Sequence, residues 1–264
     1  MSYERVTIEF SDHVAVVTLN RPDKHNALDL EMFEAINGAI AHLERQSGLR
    51  AVVLHGAGKS FCSGLDFPSV IAAGGLERFT ERLAEPNPNF FQRPAYGWVS
   101  LPVPVIAAIH GNCLGGGLQI ALGADIRIAA AEAKFSVMES KWGLIPDMSI
   151  TTTLPRLVGI DTAKELTFSA RRFNGTEADQ LGVVTRLSED PLAEALALAR
   201  EIATKSPDAI RRAKALFNRA WNSEPEQSLG LEARLQSEVI GRPNQIAAVT
   251  AGFSGEPPSF IDPE

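Results

Sequence analysis

Positions favouring strand alternate at Val6, Ile8 and Phe10 and again at Val14, Val16 and Thr18, with Ser11-Asp12 between the two runs. Period-two patterning on either side of a short polar break predicts a β-hairpin, and Asn20-Arg21-Pro22-Asp23 ends it. Leu30, Phe33, Ile36, Ile40 and Leu43 recur at three- and four-residue spacing, which predicts an amphipathic helix over 29–47. The runs 51–54, 103–109 and 126–129 are short and apolar, as strands buried on both faces are. A glycine-rich turn follows the second run, and a helical stretch opens at Gly116. Strand, helix and strand in repeated order predict right-handed crossovers and a mostly parallel sheet, an α/β fold.

Residues 68–100 break the pattern with Gly74-Gly75, then Pro86, Pro88 and Pro94, and the aromatics Phe90, Phe91, Tyr96 and Trp98. Such a stretch reads either as a mobile flap over a site or as a plain surface excursion. The last third is helical. Leu192, Leu196, Ala199 and Ile202 form one stripe, Ile210, Ala213, Leu216 and Ala220 a second, and Leu229, Leu231, Leu235 and Val239 a third. The expected organisation is an α/β core over 1–188 and a helical domain over 189–264 that packs on the core or on a neighbouring subunit.

Composition narrows the classes. The 264 residues are 45% hydrophobic and 22% charged, ordinary for a globular protein and wrong for a disordered chain. Twenty-five basic against thirty-two acidic residues give a net charge of −7, without the basic face that general nucleic-acid binding needs. No uncharged apolar run approaches the ~20 residues of a membrane helix, and MSYERVTIEF has no apolar signal core. Neither membrane nor nucleic acid is an expected partner, and a cytoplasmic setting is. Cys62 and Cys113 supply neither a disulfide framework nor metal-ligand spacing, so no metal site is expected.

Two motifs mislead at first sight. Gly58-Lys59-Ser60 ends like a phosphate-binding loop, but Val53 stands where its first glycine belongs. Gly115-Gly116-Gly117 is followed by Ile120 where a dinucleotide fingerprint needs its last glycine. Two other segments are more informative. Ser60-Phe61-Cys62-Ser63-Gly64-Leu65-Asp66 follows one predicted strand, and His110-Gly111-Asn112-Cys113-Leu114-Gly115-Gly116-Gly117 follows another and opens a helix. Glycines at a strand-to-helix turn let a ligand approach the backbone and leave N–H groups free. Two such turns at the ends of neighbouring strands can aim two N–H donors at one oxygen, an oxyanion hole; tight strand–helix packing is the plainer explanation of the same glycines.

The pair of motifs resembles the enoyl-CoA hydratase/isomerase (crotonase) superfamily. Asn20-Arg21-Pro22 with Asn26-Ala27-Leu28 is similar to its early signature, Ser63-Gly64-Leu65-Asp66 to its first oxyanion segment and Gly115-Gly116-Gly117 to its second. Residues 135–146, FSVMESKWGLIP, resemble its acid/base segment. The resemblance implies a stacked β-β-α superhelix with a helical C-terminal trimerisation domain, assembled as a homotrimer or hexamer. It implies an acyl-CoA thioester as partner, with coenzyme A part of the substrate and no separate cofactor. It assigns the oxyanion N–H groups to Leu65 and Gly116.

Chemistry then depends on the carboxylates. Hydratases of the superfamily carry glutamate where this chain has Gln119, and an amide can orient water but cannot take its proton. Glu139 matches the family's second glutamate, and Asp147, eight residues on, matches the aspartate of dienoyl-CoA isomerases. An N-cap on a helix beginning near Ser149 is the competing explanation of Asp147. The expectation is double-bond isomerisation of an enoyl- or dienoyl-CoA by Glu139 and Asp147; hydration by Glu139 alone and a non-catalytic acyl-CoA-binding module are the alternatives. Ser63, Asp66, Gln119, Trp142 and Lys24 are expected substrate-binding positions. Trp142 packs under the site loop or lines the acyl pocket, Phe67 and Trp98 shape that pocket, and Lys24 with Arg21 meets the CoA phosphates. His110, Cys62 and Cys113 are expected to be structural.

Overall fold

Asp12 and His13 both take positive φ, 49° and 67°, the twist that lets a two-residue turn join right-twisted strands. They connect β1 (Val6–Ser11) and β2 (Val14–Leu19) as an antiparallel pair, in register from Val6 opposite Leu19 to Ser11 opposite Val14. The computed structural model describes residues 4–81 and 84–263. The chain continues through α1 (Leu30–Leu43), β3 (Ala51–Gly56), α2 (Phe67–Ala72), α3 (Gly75–Glu81) and α4 (Arg93–Ser100). β4 (Val105–Ile109), β5 (Asn112–Leu114), α5 (Gly116–Leu122), β6 (Ile126–Ala129) and β7 (Lys134–Ser136) follow. Then come α6 (Ile150–Thr153), α7 (Ile160–Ser169), β8 (Phe173–Asn174), α8 (Gly175–Gln180) and β9 (Arg186–Leu187). The helices α9 (Pro191–Ala203), α10 (Pro207–Ala220), α11 (Pro225–Ser237) and α12 (Pro243–Ser254) close the chain.

Among the described residues the strands make a six-stranded sheet, ordered β1-β2-β3-β4-β6-β9, and a three-stranded one, β5-β7-β8. From β2 to β9 the large sheet is parallel, so its C-terminal strand ends face one side. Successive residues of β3 serve opposite faces. Val52 and Leu54 join the core under α1, whereas Ala51 and Val53 join a second cluster with Ala195, Ala199 and Ala203 of α9. Burial on both faces is why this strand is apolar throughout, and the alanines let α9 lie close to it.

The hairpin, α1, β3, α5 and β6 stand where the periodicity predicts them. The first helix is shorter than 29–47: Asp29 caps it, accepting from the Met32 N–H at 2.8 Å, and it ends at Leu43. The 68–100 stretch is corrected. It is not one excursion, because α4 packs against α1 and α5 with Trp98 fully buried; residues 82 and 83 lie outside the described residues. Trp98 therefore belongs to the core. Helix α10 also departs from expectation, since Ala213 on its apolar stripe is exposed and Phe217 and Trp221 are exposed beside it. Lys214 points inward instead, donating to the carbonyls of Trp98 (3.0 Å) and Val103 (2.9 Å) and pairing with Asp125 at 2.7 Å. A fully partnered ammonium thus ties α10 to one carbonyl in the last turn of α4 and one just beyond its end. Helix α12 lies outside the three predicted stripes, although Pro243 in its first turn and Gly255 in the left-handed region after its end mark both boundaries. Among the described residues no helix is long and apolar enough to cross a membrane.

Truncating Trp98 to alanine empties a buried aromatic site away from the cavity described below. The expected cost is ~3–5 kcal/mol of stability, read from urea unfolding, with acyl chain-length preference unchanged; an altered preference would return Trp98 to the pocket.

Candidate active site

Beyond β3, the chain stays paired with the segment leaving β4. Phe61 N–H donates to the His110 carbonyl (2.8 Å), Cys62 N–H to Asn112 (2.9 Å) and Leu114 N–H to Cys62 (3.0 Å). Asn26, fully buried, pins the first segment through its amide nitrogen, 2.9 Å from the Ala57 carbonyl and 2.7 Å from that of Ser60. Leu28 then forms a parallel bridge to Leu65: its N–H donates to Gly64 (2.8 Å) and its carbonyl accepts from Asp66 (3.0 Å). In a parallel bridge of this kind the N–H of the middle residue, Leu65, points to the opposite edge. That edge faces a cavity of about 330 Å³, and Leu65 lines it.

The second segment reaches the same cavity. Gly115 takes φ 53° and ψ −123°, a conformation for glycine, and caps α5, whose first bond runs from Gln119 N–H to the Gly115 carbonyl at 3.1 Å. The Gly116 N–H, in the first turn, has no intrahelical acceptor. A Cβ on Gly64 would stand 3.7 Å from the Gly116 nitrogen and 2.8 Å from the Leu114 carbonyl, so the two segments abut and both N–H groups border one space. The structure brings Leu65 and Gly116 together as the sequence predicts.

Glu139 and Asp147 line this cavity too. Glu139 opens a 3-10 turn, Glu139–Trp142, which sets its carboxylate over Gly115; a Cβ there would lie 3.5 Å from Oε1. Oε1 accepts from the Gln119 amide nitrogen at 2.6 Å, and Oε2 is buried with no hydrogen-bond partner among the described residues. Burial pushes the Glu139 carboxyl above its ordinary value; the Gln119 hydrogen bond opposes the shift and the Asp147 charge adds to it. The amide oxygen of Gln119 accepts from Met148 N–H at 2.8 Å. Asp147 is not the cap of α6: that place belongs to Ser149, at φ 71° and with no side-chain capping bond.

Other expected positions divide. Ser63 and Trp142 line the cavity. Trp142 is half exposed at its rim, 5.3 Å centroid to centroid from Phe67 of the opposite wall, so it lines the pocket instead of packing beneath the loop. Asp66 does not line it. Its carboxylate caps α2 and binds Arg21 at 2.8 Å and the Ser69 hydroxyl at 2.7 Å, so its polar capacity is consumed inside the protein. Arg21 is buried by the same pair and by the Ala27 carbonyl (3.1 Å), which removes it from any phosphate. Lys24 is exposed and outside the cavity, its carbonyl 3.4 Å from the Ser63 hydroxyl. His110 donates from Nε2 to the Gly58 carbonyl at 2.9 Å. Cys62 and Cys113 are fully buried and free, and burial pushes the Cys62 thiol up to about 12, so neither is an activated nucleophile.

The apolar lining includes Val70 and Phe91 of the 68–100 stretch read as a flap over a site, together with Phe33, Met138 and Met148, which sequence reasoning did not place there. Phe33 carried only a helix-core signal, and Met148 carried none. Among the described residues no group of His, Cys, Asp or Glu side chains is arranged to hold a metal.

Comparison with known proteins follows this geometry. The family model described as enoyl-CoA hydratase/isomerase matches residues 9–251. The short-chain-enoyl-CoA hydratase of Clostridium acetobutylicum is 34% identical, over 95% of this chain and 95% of its own. A peroxisomal Delta(3,5)-Delta(2,4)-dienoyl-CoA isomerase of Arabidopsis thaliana is 33% identical, over 92% of this chain and 90% of its own. The crystal structure of an enoyl-CoA hydratase from Bacillus anthracis superposes with a TM-score of 0.89 at 28% identity, covering 97% of this chain and 98% of that one.

Asp66 supplies a test of the cavity's frame. Burial raises its pKa, but the Ser69 hydroxyl, the Arg21 guanidinium and the Ser69 N–H outweigh burial and the net shift is downward. Its stabilisation is therefore present above the ordinary carboxylate range and is lost as pH falls through the depressed value. Asp66→Asn is expected to cost about 3 kcal/mol at neutral pH, with the gap to wild type narrowing in acid, as urea unfolding at both pH values will show.

Proposed function

The chain belongs to the enoyl-CoA hydratase/isomerase family, a family of enzymes, and we propose that within it this protein shifts double bonds in an enoyl- or dienoyl-CoA. Asp147 carries the reading. It lines the cavity and acts electrostatically on Glu139, so two carboxylates border one substrate space while position 119, a glutamate in the hydratases, holds an amide.

In this reading the N–H groups of Leu65 and Gly116 hold the thioester oxygen as it gains negative charge. Asp147 takes the proton from the α carbon, and the electron pair enters the conjugated enolate. Glu139, whose burial favours the protonated form, returns one at the far carbon. For a 3,5-dienoyl-CoA the C2 proton goes to Asp147, C6 receives the Glu139 proton and the 2,4-diene results. One carboxyl gains a proton and the other loses one, so no water is consumed and no cofactor beyond the substrate's coenzyme A takes part. Ser63 and Trp142 would flank the thioester, and Lys24 on its exposed turn would meet the CoA phosphates. A cytoplasmic setting belongs to the same reading, as does a trimer or hexamer; exposed Phe217, Trp221, Leu229 and Phe253 on α10 to α12 support the assembly.

Hydration with Glu139 as the working group is the second reading, favoured by the identity to the clostridial hydratase. Purified protein given crotonyl-CoA and a 3,5-dienoyl-CoA decides between them by absorbance. Growth of the conjugated 2,4-dienoyl band without loss of crotonyl-CoA is expected; rapid water addition to crotonyl-CoA alone would overturn the isomerase reading. Glu139→Gln and Asp147→Asn should each lower turnover of the dienoyl-CoA by ~10²–10⁴ while thioester binding persists. Because Glu139 must carry a proton, the rate should decline as pH rises through its raised value.

A further inference from the structure

Gln119 has both ends of its amide engaged, and the chemistry of its partners fixes which end is which. The Met148 backbone N–H can only donate, so the atom 2.8 Å from it is the amide oxygen. The amide nitrogen is thereby turned to Glu139 Oε1, 2.6 Å away. Gln119 itself is buried on α5, and α5 is seated firmly, because a Cβ on Gly117 would overlap the Cys62 carbonyl. We infer that Gln119 is a positioning residue for the proposed reaction: it grips the Glu139 carboxylate directly and the Asp147 loop through the Met148 backbone, and so sets the spacing of the two carboxylates. This rests on the reading that both carboxylates work.

The grip is one-sided. It uses Oε1 and leaves Oε2, buried and without a partner among the described residues, as the oxygen that exchanges a proton with substrate. A carboxylate at 119 could accept from Met148 equally well, but it would face Glu139 as a like charge and the two would have to share a proton. An aliphatic side chain would fill the volume and strand both partners. Among charged groups of the described residues, Asp147 is the one that acts on Glu139. Lys141, on the same turn, lies over the Trp142 ring at 5.3 Å. Glu165, on the packed helix α7, is tied to Arg171 at 2.7 Å.

Hydrogen exchange on the ligand-free protein, followed by mass spectrometry of a peptide covering residues 144–149, tests the grip without relying on activity. In Gln119→Leu the Met148 amide should lose about tenfold in protection, the worth of one buried hydrogen bond; in Gln119→Glu, which keeps the acceptor, protection should persist. With a dienoyl-CoA substrate, Gln119→Leu should lower kcat by about 10²-fold with little change in KM, and the alkaline limb of its pH–rate profile should move to higher pH because the donor favouring the charged form of Glu139 is gone. Unchanged Met148 protection in Gln119→Leu overturns the inference, as does a fall in kcat with the alkaline limb unmoved. Should wild type turn over no dienoyl-CoA, the isomerase reading falls while the exchange result still decides whether the grip exists.

Discussion

The structure around the cavity depends on two segments that go on pairing after their strands have ended. β3 and β4 are neighbours in the parallel sheet, and the hydrogen bonds between Phe61 and Cys62 on one side and His110, Asn112 and Leu114 on the other extend that pairing into what would otherwise be loops. The separation is so small that a Cβ on Gly111 would strike the Lys59 carbonyl and one on Gly117 the Cys62 carbonyl. Hydrogen alone fits there. Because the backbones are this close, Gly64 and Gly116 come into contact, and two N–H groups that no strand or helix bond consumes end up at one cavity wall. The packing explanation of the glycines and the functional one are therefore compatible: the close approach that packing requires is also what an oxyanion site made of main chain would need.

Charge partners then separate three carboxylates that lie within a short stretch of surface. Asp66 has a guanidinium and two donors from Ser69, so its ionised form is held and it becomes part of the frame. Glu139 has an amide on one oxygen and, among the described residues, no hydrogen-bond partner on the other, and burial favours its neutral form. Asp147 contributes its charge from the facing loop. Nothing intrinsic to the carboxyl group distinguishes these roles; the neighbours do.

Periodicity made much of the frame readable, because β2, β3 and α1 each bury a whole face and so carry a complete repeat. β5, β7 and β8 are two or three residues long and offer no repeat to read. Helix α10 carried a clear stripe, yet the residue it turns inward is Lys214, since unpaired carbonyls at Trp98 and Val103 are better satisfied by an ammonium than by a methyl group. At the site, the motif residues Leu65, Gly116 and Glu139 were legible through their resemblance to a family. Asp66 was not separable from a substrate ligand, because its partner Arg21 lies forty-five positions away and only the fold joins them. Phe91 was legible only as part of a flap, because the prolines around it obscure that the chain returns to the core at α4.

The amide at position 119 shows how little has to change for a shared scaffold to do different chemistry. Water addition needs a group that removes a proton from water, and two carboxylates facing each other across a cavity provide one by dividing a proton between them. Replacing one by an amide removes that base, but it also removes the repulsion, so Glu139 can be gripped at 2.6 Å without a shared proton. The carboxylate so held has one oxygen engaged by the amide, and Glu139 lines the cavity. A second carboxylate elsewhere on the wall then becomes useful, because proton removal and proton return no longer have to occur at adjacent carbons. Asp147 stands on the loop whose backbone the same amide holds, so under the proposed isomerase reading a single side chain bears on both carboxylates.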